Sequence, residues 1–206
     1  MTRLHSYVVK IDDGFAPNPF YGFCTLATCK PKIRRHAKVG DWILGTGSKQ
    51  KNRQGTLVYA MRVTEKMAHH DYWGDQRFEE KRPNLHQSIR KSRGDNIYHW
   101  NSETETWIQE DSCHSKIDGT PNQDHILRDT KSDHVLVSDD FIYWGGGQAI
   151  LVPEFNGEVL CHKWMGHKNH FDEATVNEFI EWIRSLGEWG YCHDPLEWKQ
   201  LLWPGR

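Results

Sequence analysis

The sequence predicts an α+β fold: mostly antiparallel strands, as a sheet or partly open barrel, with peripheral helices and a long irregular middle segment. Three observations predict it. Runs with period-two alternation occur early in the chain and again between residues 134 and 152. The strand–helix alternation of a doubly wound sheet is missing. One clear amphipathic helix lies near the C-terminus, opened by Asp172. With 206 residues, 37% of them hydrophobic and including 10 Trp, 8 Phe and 7 Tyr, the chain can bury one well-packed core. The simplest organisation is a single domain over residues 1–206, with a C-terminal helical portion from about residue 171.

Leu4 to Lys10 reads as the first strand, broken at Asp12-Asp13-Gly14. Pro17 and Pro19 keep Phe15–Phe20 out of a central strand, because each proline removes a ladder donor. Cys24 to Cys29 fits a short strand or a first helical turn. Gly40-Asp41 turns the chain into a strand at Trp42–Thr46, and Leu57–Val63 follows, which predicts a hairpin or meander across residues 42–63. Tyr72 to Phe78 suggests a short helix or turns. Residues 94–133 read as irregular, apart from a small hairpin of Ile97–Trp100 with Trp107–Gln109. His134–Ser138, Phe141–Trp144 and Ala149–Val152 are strand candidates, the last closed by Pro153. In the late helix Asp172 caps, Phe171 staples against Val176, and Val176, Phe179, Ile180 and Ile183 form one apolar face before Gly187 stops it. Tyr191, Trp198, Leu201, Leu202 and Trp203 suggest a second short docked helix.

The formal net charge of -2 hides a local asymmetry. Residues 30–53 hold eight bases against Asp41, whereas residues 101–140 hold ten acids and three bases. Lys30, Lys32, Arg34 and Arg35 are candidate phosphate ligands, the arginines as forked donors and the lysines as point charges. A solvated surface laced with salt bridges is the competing reading. Gly45-Thr46-Gly47-Ser48-Lys49 lacks the spacing of a nucleoside triphosphate loop. Beside the basic run, Trp42 or Tyr21 can stack on a base, with Asn18, Thr25 or Gln109 to read its edge. Core packing is the competing role for each ring.

Five scattered cysteines, at 24, 29, 113, 161 and 192, point to reduced thiols rather than a disulfide framework. No apolar run of membrane-spanning length and no signal peptide is evident, so a cytoplasmic protein without membrane contact is expected. Cys161, His162, His170, Cys192 and His193 contain zinc-ligand types but not the short paired spacing of structural sites, so no metal and no cofactor is assigned. Sequence motifs of serine hydrolases, zinc proteases and zinc deaminases are absent. His114 with Asp118 or Asp129 is the candidate acid–base set, and hydrogen bonding within a polar loop is its competing reading. Asp12-Asp13 and Asp139-Asp140 read as turn carboxylates.

The string SYVVKIDDGFAPNPFYGFCTLATCKPKIRRHAKVGDWILGTGS, residues 6–48, resembles the second of the nucleotide-modification-associated domains, a bacterial and phage group. YAMRVTEKM at 59–67, YWGDQRF at 72–78, GDNIYHW at 94–100, DHVLVSDDFIYWG at 133–145 and GHK at 166–168 are similar to the same group. The resemblance implies association with systems that make, remove or recognise modified bases, restriction-related systems included. VGDWILGTGS also resembles the strand entry of PUA- and EVE-type modified-base readers, which implies a PUA-like barrel. The leading expectation is binding of a nucleotide or modified nucleobase, alone or within nucleic acid. Alternatives are a nucleotide- or base-modifying enzyme using His114, and a subunit that contacts other modification-system proteins.

Overall fold

The computed structural model describes residues 1–161 and 166–199. Strand β1 (Leu4–Val9) is followed by a loop in which Asn18 bridges Thr25 of β2 (Cys24–Leu26). Helix α1 (Pro31–His36) starts on a proline, where the missing N–H costs no intrahelical bond. Strands β3 (Trp42–Gly47) and β4 (Leu57–Arg62) form the expected antiparallel pair. The middle of the chain carries β5 (Glu65–Met67), α2 (His69–Gly74), α3 (Ile89–Ser92) and the hairpin β6 (Tyr98–Asn101) with β7 (Thr106–Gln109). Helix α4 (Gln123–Asp129), capped by the Asn122 side chain, leads into β8 (Val135–Ser138) and β9 (Asp140–Tyr143). Short pairings follow at β10 (Glu154–Phe155), β11 (Glu158–Val159) and β12 (His167–Lys168), then α5 (Glu173–Ser185) and β13 (Gly190–Tyr191).

A six-stranded sheet of order β12-β1-β3-β4-β9-β13 forms the centre, and a three-stranded sheet of order β2-β8-β5 lies beside it. The β1–β3 and β9–β13 pairs are parallel and the other pairs antiparallel. The α+β class is as the sequence predicts. Neither sheet closes into a barrel among the described residues.

Side-chain alternation sorts the central sheet into two faces. Leu4, Trp42, Leu44 and Ile142 point toward Val176, Phe179 and Ile183 of α5, while Tyr7, Val9, Ile43, Phe141 and Tyr143 point toward β2, α1 and β8. Between β3 and β4 the register slips: Gly45 faces Tyr59 and Thr46 faces Leu57, leaving Val58 as an extra residue. That bulge lets Leu57 and Ala60 share the α5 face. Gly45 is obligatory there, since a Cβ would sit 2.2 Å from the Tyr59 ring.

Asp172 accepts a bond from the Thr175 amide at 2.7 Å and so caps α5 as expected. Four segments differ from expectation. Ala149–Val152 forms no strand; Leu151 makes an isolated bridge to Thr56, in a segment that docks by its Ile150 carbonyl and Val152 amide on the turn before β4. Helices α1 and α4 are too short to show a 3.6-residue pattern and so were invisible as periodicity. The docked tail is a 3₁₀ turn over Leu196–Lys199, and Leu201, Leu202 and Trp203 lie outside the described residues.

Candidate functional site

Where the loop after β1, the turn after β2 and the chain around α4 meet, they enclose a cleft of about 610 Å³. Its lining includes Val9, Lys10, Phe15, Cys29, Lys30, His114 and Arg128. Cys29 and Lys30 occupy successive left-handed backbone positions, with φ of 55° and 39°, immediately before Pro31 opens α1. Non-glycine residues adopt that region at an energetic cost, and such strain persists where the surroundings impose it. Here the Cys29 amide donates to Asp129 Oδ1 at 3.1 Å, and the Cys29 carbonyl accepts from Arg34 Nε at 2.8 Å.

The Cys29 sulfur lies 3.8 Å from His114 Nε2, and His114 Nδ1 donates to Asp129 Oδ2 at 2.9 Å. One imidazole therefore joins a thiol to a carboxylate. Asp129 is fully buried, and it also accepts from Tyr98 Oη at 3.1 Å and Arg128 Nε at 3.0 Å. Burial alone would raise the Asp129 carboxyl; the bonds from His114 and Arg128 outweigh it and hold the group well below the usual carboxylate range. Burial likewise opposes charge on His114, but its bonds to Asp129 and Cys29 prevail and lift the imidazole from 6.5 to about 9. At neutral pH the ring is an imidazolium with a proton on the nitrogen facing sulfur. The neighbouring His125, its ring centroid 4.4 Å away, is lowered by burial and then by the charges of His114 and Arg128. The second thiol in the cleft, Cys113, is pushed up to about 11, chiefly by burial.

The sequence-derived candidates separate in space. Of the acid–base set, His114 and Asp129 pair, whereas Asp118 is exposed and accepts from the Thr120 amide at 3.0 Å and hydroxyl at 2.7 Å. Of the phosphate candidates, Lys30 lines the cleft, with its ammonium 4.5 Å from the Tyr7 ring centroid. Lys32 and Arg35 lie on the exposed side of α1. Arg34 is fully buried: it donates to the carbonyls of Cys29, Ser132, His134 and Asp129, and so has no free donor face for phosphate.

The base-binding candidates are drawn inward. Trp42 is packed at 2% exposure between Phe179 and Trp189, on the sheet face away from the cleft. Tyr21 is half-buried with Lys91 5.6 Å from its ring, and it is not among the cleft's lining residues. Asn18 accepts from buried Lys81 at 2.6 Å and donates to the Gly14 and Arg93 carbonyls. Thr25 donates to buried Asp95 at 2.7 Å, beside Tyr72. Gln109 spends both amide atoms internally, accepting from the Asn122 amide and donating to Tyr98 Oη, which in turn donates to Asp129. These side chains hold the fold, and Gln109 orients the carboxylate's partners.

Sequence reading missed Cys29, Arg128 and Lys10. The available signal for Cys29 was a short strand, then two residues, then Cys-Lys-Pro, a strand-to-helix turn that presents the thiol at its corner. No group of three or more His, Cys, Asp or Glu able to hold a metal occurs among the described residues, and His162 of the zinc-type set lies outside them. None of the described helices is long and apolar enough to cross a membrane.

Fold and site together define an α+β protein with a thiol–imidazole–carboxylate constellation set in a cleft beside its central sheet. The chain belongs to the nucleotide modification associated domain 2 family, whose model matches residues 1–202. No curated protein and no solved structure matches it.

Proposed function

We propose that the protein is a thiol-dependent enzyme acting on a nucleotide or nucleobase within a base-modification system. Cys29 serves as nucleophile, His114 as proton carrier and Asp129 as the group that orients and charges His114. The observation that carries this reading is the pair of contacts on the His114 ring, Cys29 Sγ at 3.8 Å and Asp129 Oδ2 at 2.9 Å. Nucleophile, base and orienting acid in that order generalise the triad logic of covalent catalysis. His114 Nε2 faces the sulfur across that contact, so the attacking sulfur lies beside a ring that carries a proton to deliver. A sulfur–carbon bond forms at one end of a polarised double bond, the π pair moves to the other end, and that atom takes the proton from Nε2.

Alkylation of the full chain with iodoacetamide, read site by site by mass spectrometry, tests the pairing. Cys29 should react ahead of the other cysteines at pH 6.5. Asp129→Asn or His114→Ala should slow that reaction on the order of 10²-fold by weakening or removing the charged ring beside the sulfur. A Cys29 rate indifferent to both substitutions overturns the assignment. A second reading, capture of a modified nucleotide without turnover, draws on Lys10 and Lys30, which have no carboxylate partner among the described residues. It calls for undiminished binding by Cys29→Ser and no product from a nucleotide panel.

A further inference from the structure

We infer that the Cys29 cleft takes one phosphate-bearing nucleotide unit, with its phosphate at Lys10, Lys30 and Arg128 and its ring against Ile11. This inference rests on the catalytic reading above and names the substrate class of the same site.

Size is the first argument. A cleft of about 610 Å³ falls in the range that encloses a single small ligand. It has no room for a duplex, so a nucleotide in a polymer enters only when extruded from its stack or already single-stranded.

Charge is the second argument. Lys10 is exposed and Lys30 half-buried, and among the described residues neither has a carboxylate within ion-pair distance. Arg128 commits Nε and Nη2 to Asp129 at 3.0 and 3.4 Å, while its side chain stays 43% exposed, so part of the guanidinium faces the cleft. The lining contains one carboxylate, Asp13, and Arg93 already engages it at 3.1 Å. The cleft therefore presents an excess of cations to any ligand, and a phosphate monoester or diester supplies the missing anion.

An exposed apolar side chain in the lining is the third argument. Ile11 is 58% exposed at the cleft, whereas Phe15, 4.6 Å from the His114 ring, and Val9 are each 4% exposed. A flat base laid against Ile11 covers that surface. A small inorganic anion would satisfy the lysines and leave Ile11 wet.

Protection of Cys29 from iodoacetamide tests this on the full chain. The probes are the four deoxynucleoside 5′-monophosphates, the matching nucleosides, inorganic phosphate and a short single-stranded oligonucleotide. A monophosphate, or the oligonucleotide, should protect at a concentration about tenfold or more below that of the nucleoside, the share expected of one charge-assisted contact. Protection by the monophosphates identifies free nucleotide as the source, and protection by the oligonucleotide alone identifies a polymer; both support the inference. Lys10→Glu combined with Lys30→Gln should erase the advantage of phosphate. The inference is overturned by equal protection from nucleoside and monophosphate, by an advantage that survives the double variant, by protection from inorganic phosphate alone, or by no protection at all. In each of those cases the dependence of Cys29 alkylation on His114 separates the two claims: where it persists, the catalytic reading stands without this substrate, and where it is lost, both fall.

Discussion

Under α5 the central sheet presents Leu4, Trp42, Leu44 and Ile142, side chains that pack on Phe179 and Ile183. The opposite face presents Tyr7, Tyr59 and Tyr143. Tyr7 and Tyr59 bond hydroxyl to hydroxyl at 2.9 Å, and Tyr143 donates to Asp12. Burial lifts that Asp12 carboxyl to about 6 even though it accepts from Tyr143 and the Leu196 amide. A mostly apolar face can be closed by one amphipathic helix. A face studded with hydroxyls needs polar partners: Tyr7 and Tyr59 supply each other's, and Asp12 in the loop after β1 supplies that of Tyr143. Cys29, His114 and Asp129 gather on that side, in the turn before α1, the loop after β7 and the end of α4.

The largest effect expected from breaking this division is on the closed face. Phe179→Ala removes a ring with no exposure and should destabilise the protein by about 3–5 kcal/mol in denaturant titration. The Cys29 alkylation rate per folded molecule should stay unchanged, since α5 does not line the cleft. A rate that shifts with Phe179 would show that the two faces are mechanically one.

On the open face, His114→Gln should give a stability loss that depends on pH. The folded imidazole titrates near 9 against an ordinary 6.5 when unfolded, so its protonation stabilises the folded state. The contribution is complete below about 6.5, fades as pH rises, and is gone above about 9. Melting curves of wild type and variant should therefore converge on the alkaline side, and a gap constant from pH 6 to 9.5 would contradict the His114–Asp129 pairing. The smallest effect belongs to Asp118→Ala: an exposed turn carboxylate on Thr120 should leave both the melting midpoint and Cys29 alkylation where they were. Any loss of alkylation would return Asp118 to the site.

His114 and Asp129 could be singled out from sequence as acid–base candidates because their residue types suit that chemistry, but sequence ranked Asp118 beside Asp129. Burial separates them: one carboxylate is sealed among donors, and the other is solvated on a turn. The basic run was legible as charge and misleading as surface. Arg34 carries the same charge as Arg35 yet is buried, because four carbonyls from three segments converge on its guanidinium and replace its water. Trp42 illustrates the same gap, since a large ring in a strand gives no indication of which sheet face it occupies until register is known.

What the sequence by itself determined is local: the strands at 42–46 and 57–63, the Asp172-capped helix, the small hairpin near Trp100, and the family to which the chain belongs. These follow from alternation, capping and turn chemistry, which act over a few residues. Only the tertiary structure decided that Cys29 meets His114 across 85 residues and Asp129 across 100. Those distances are set by β2 pairing with β8 and by Arg34 drawing Cys29 and Asp129 together. Neither leaves a periodic trace in the chain, because a contact between distant segments depends on the packing of everything between them.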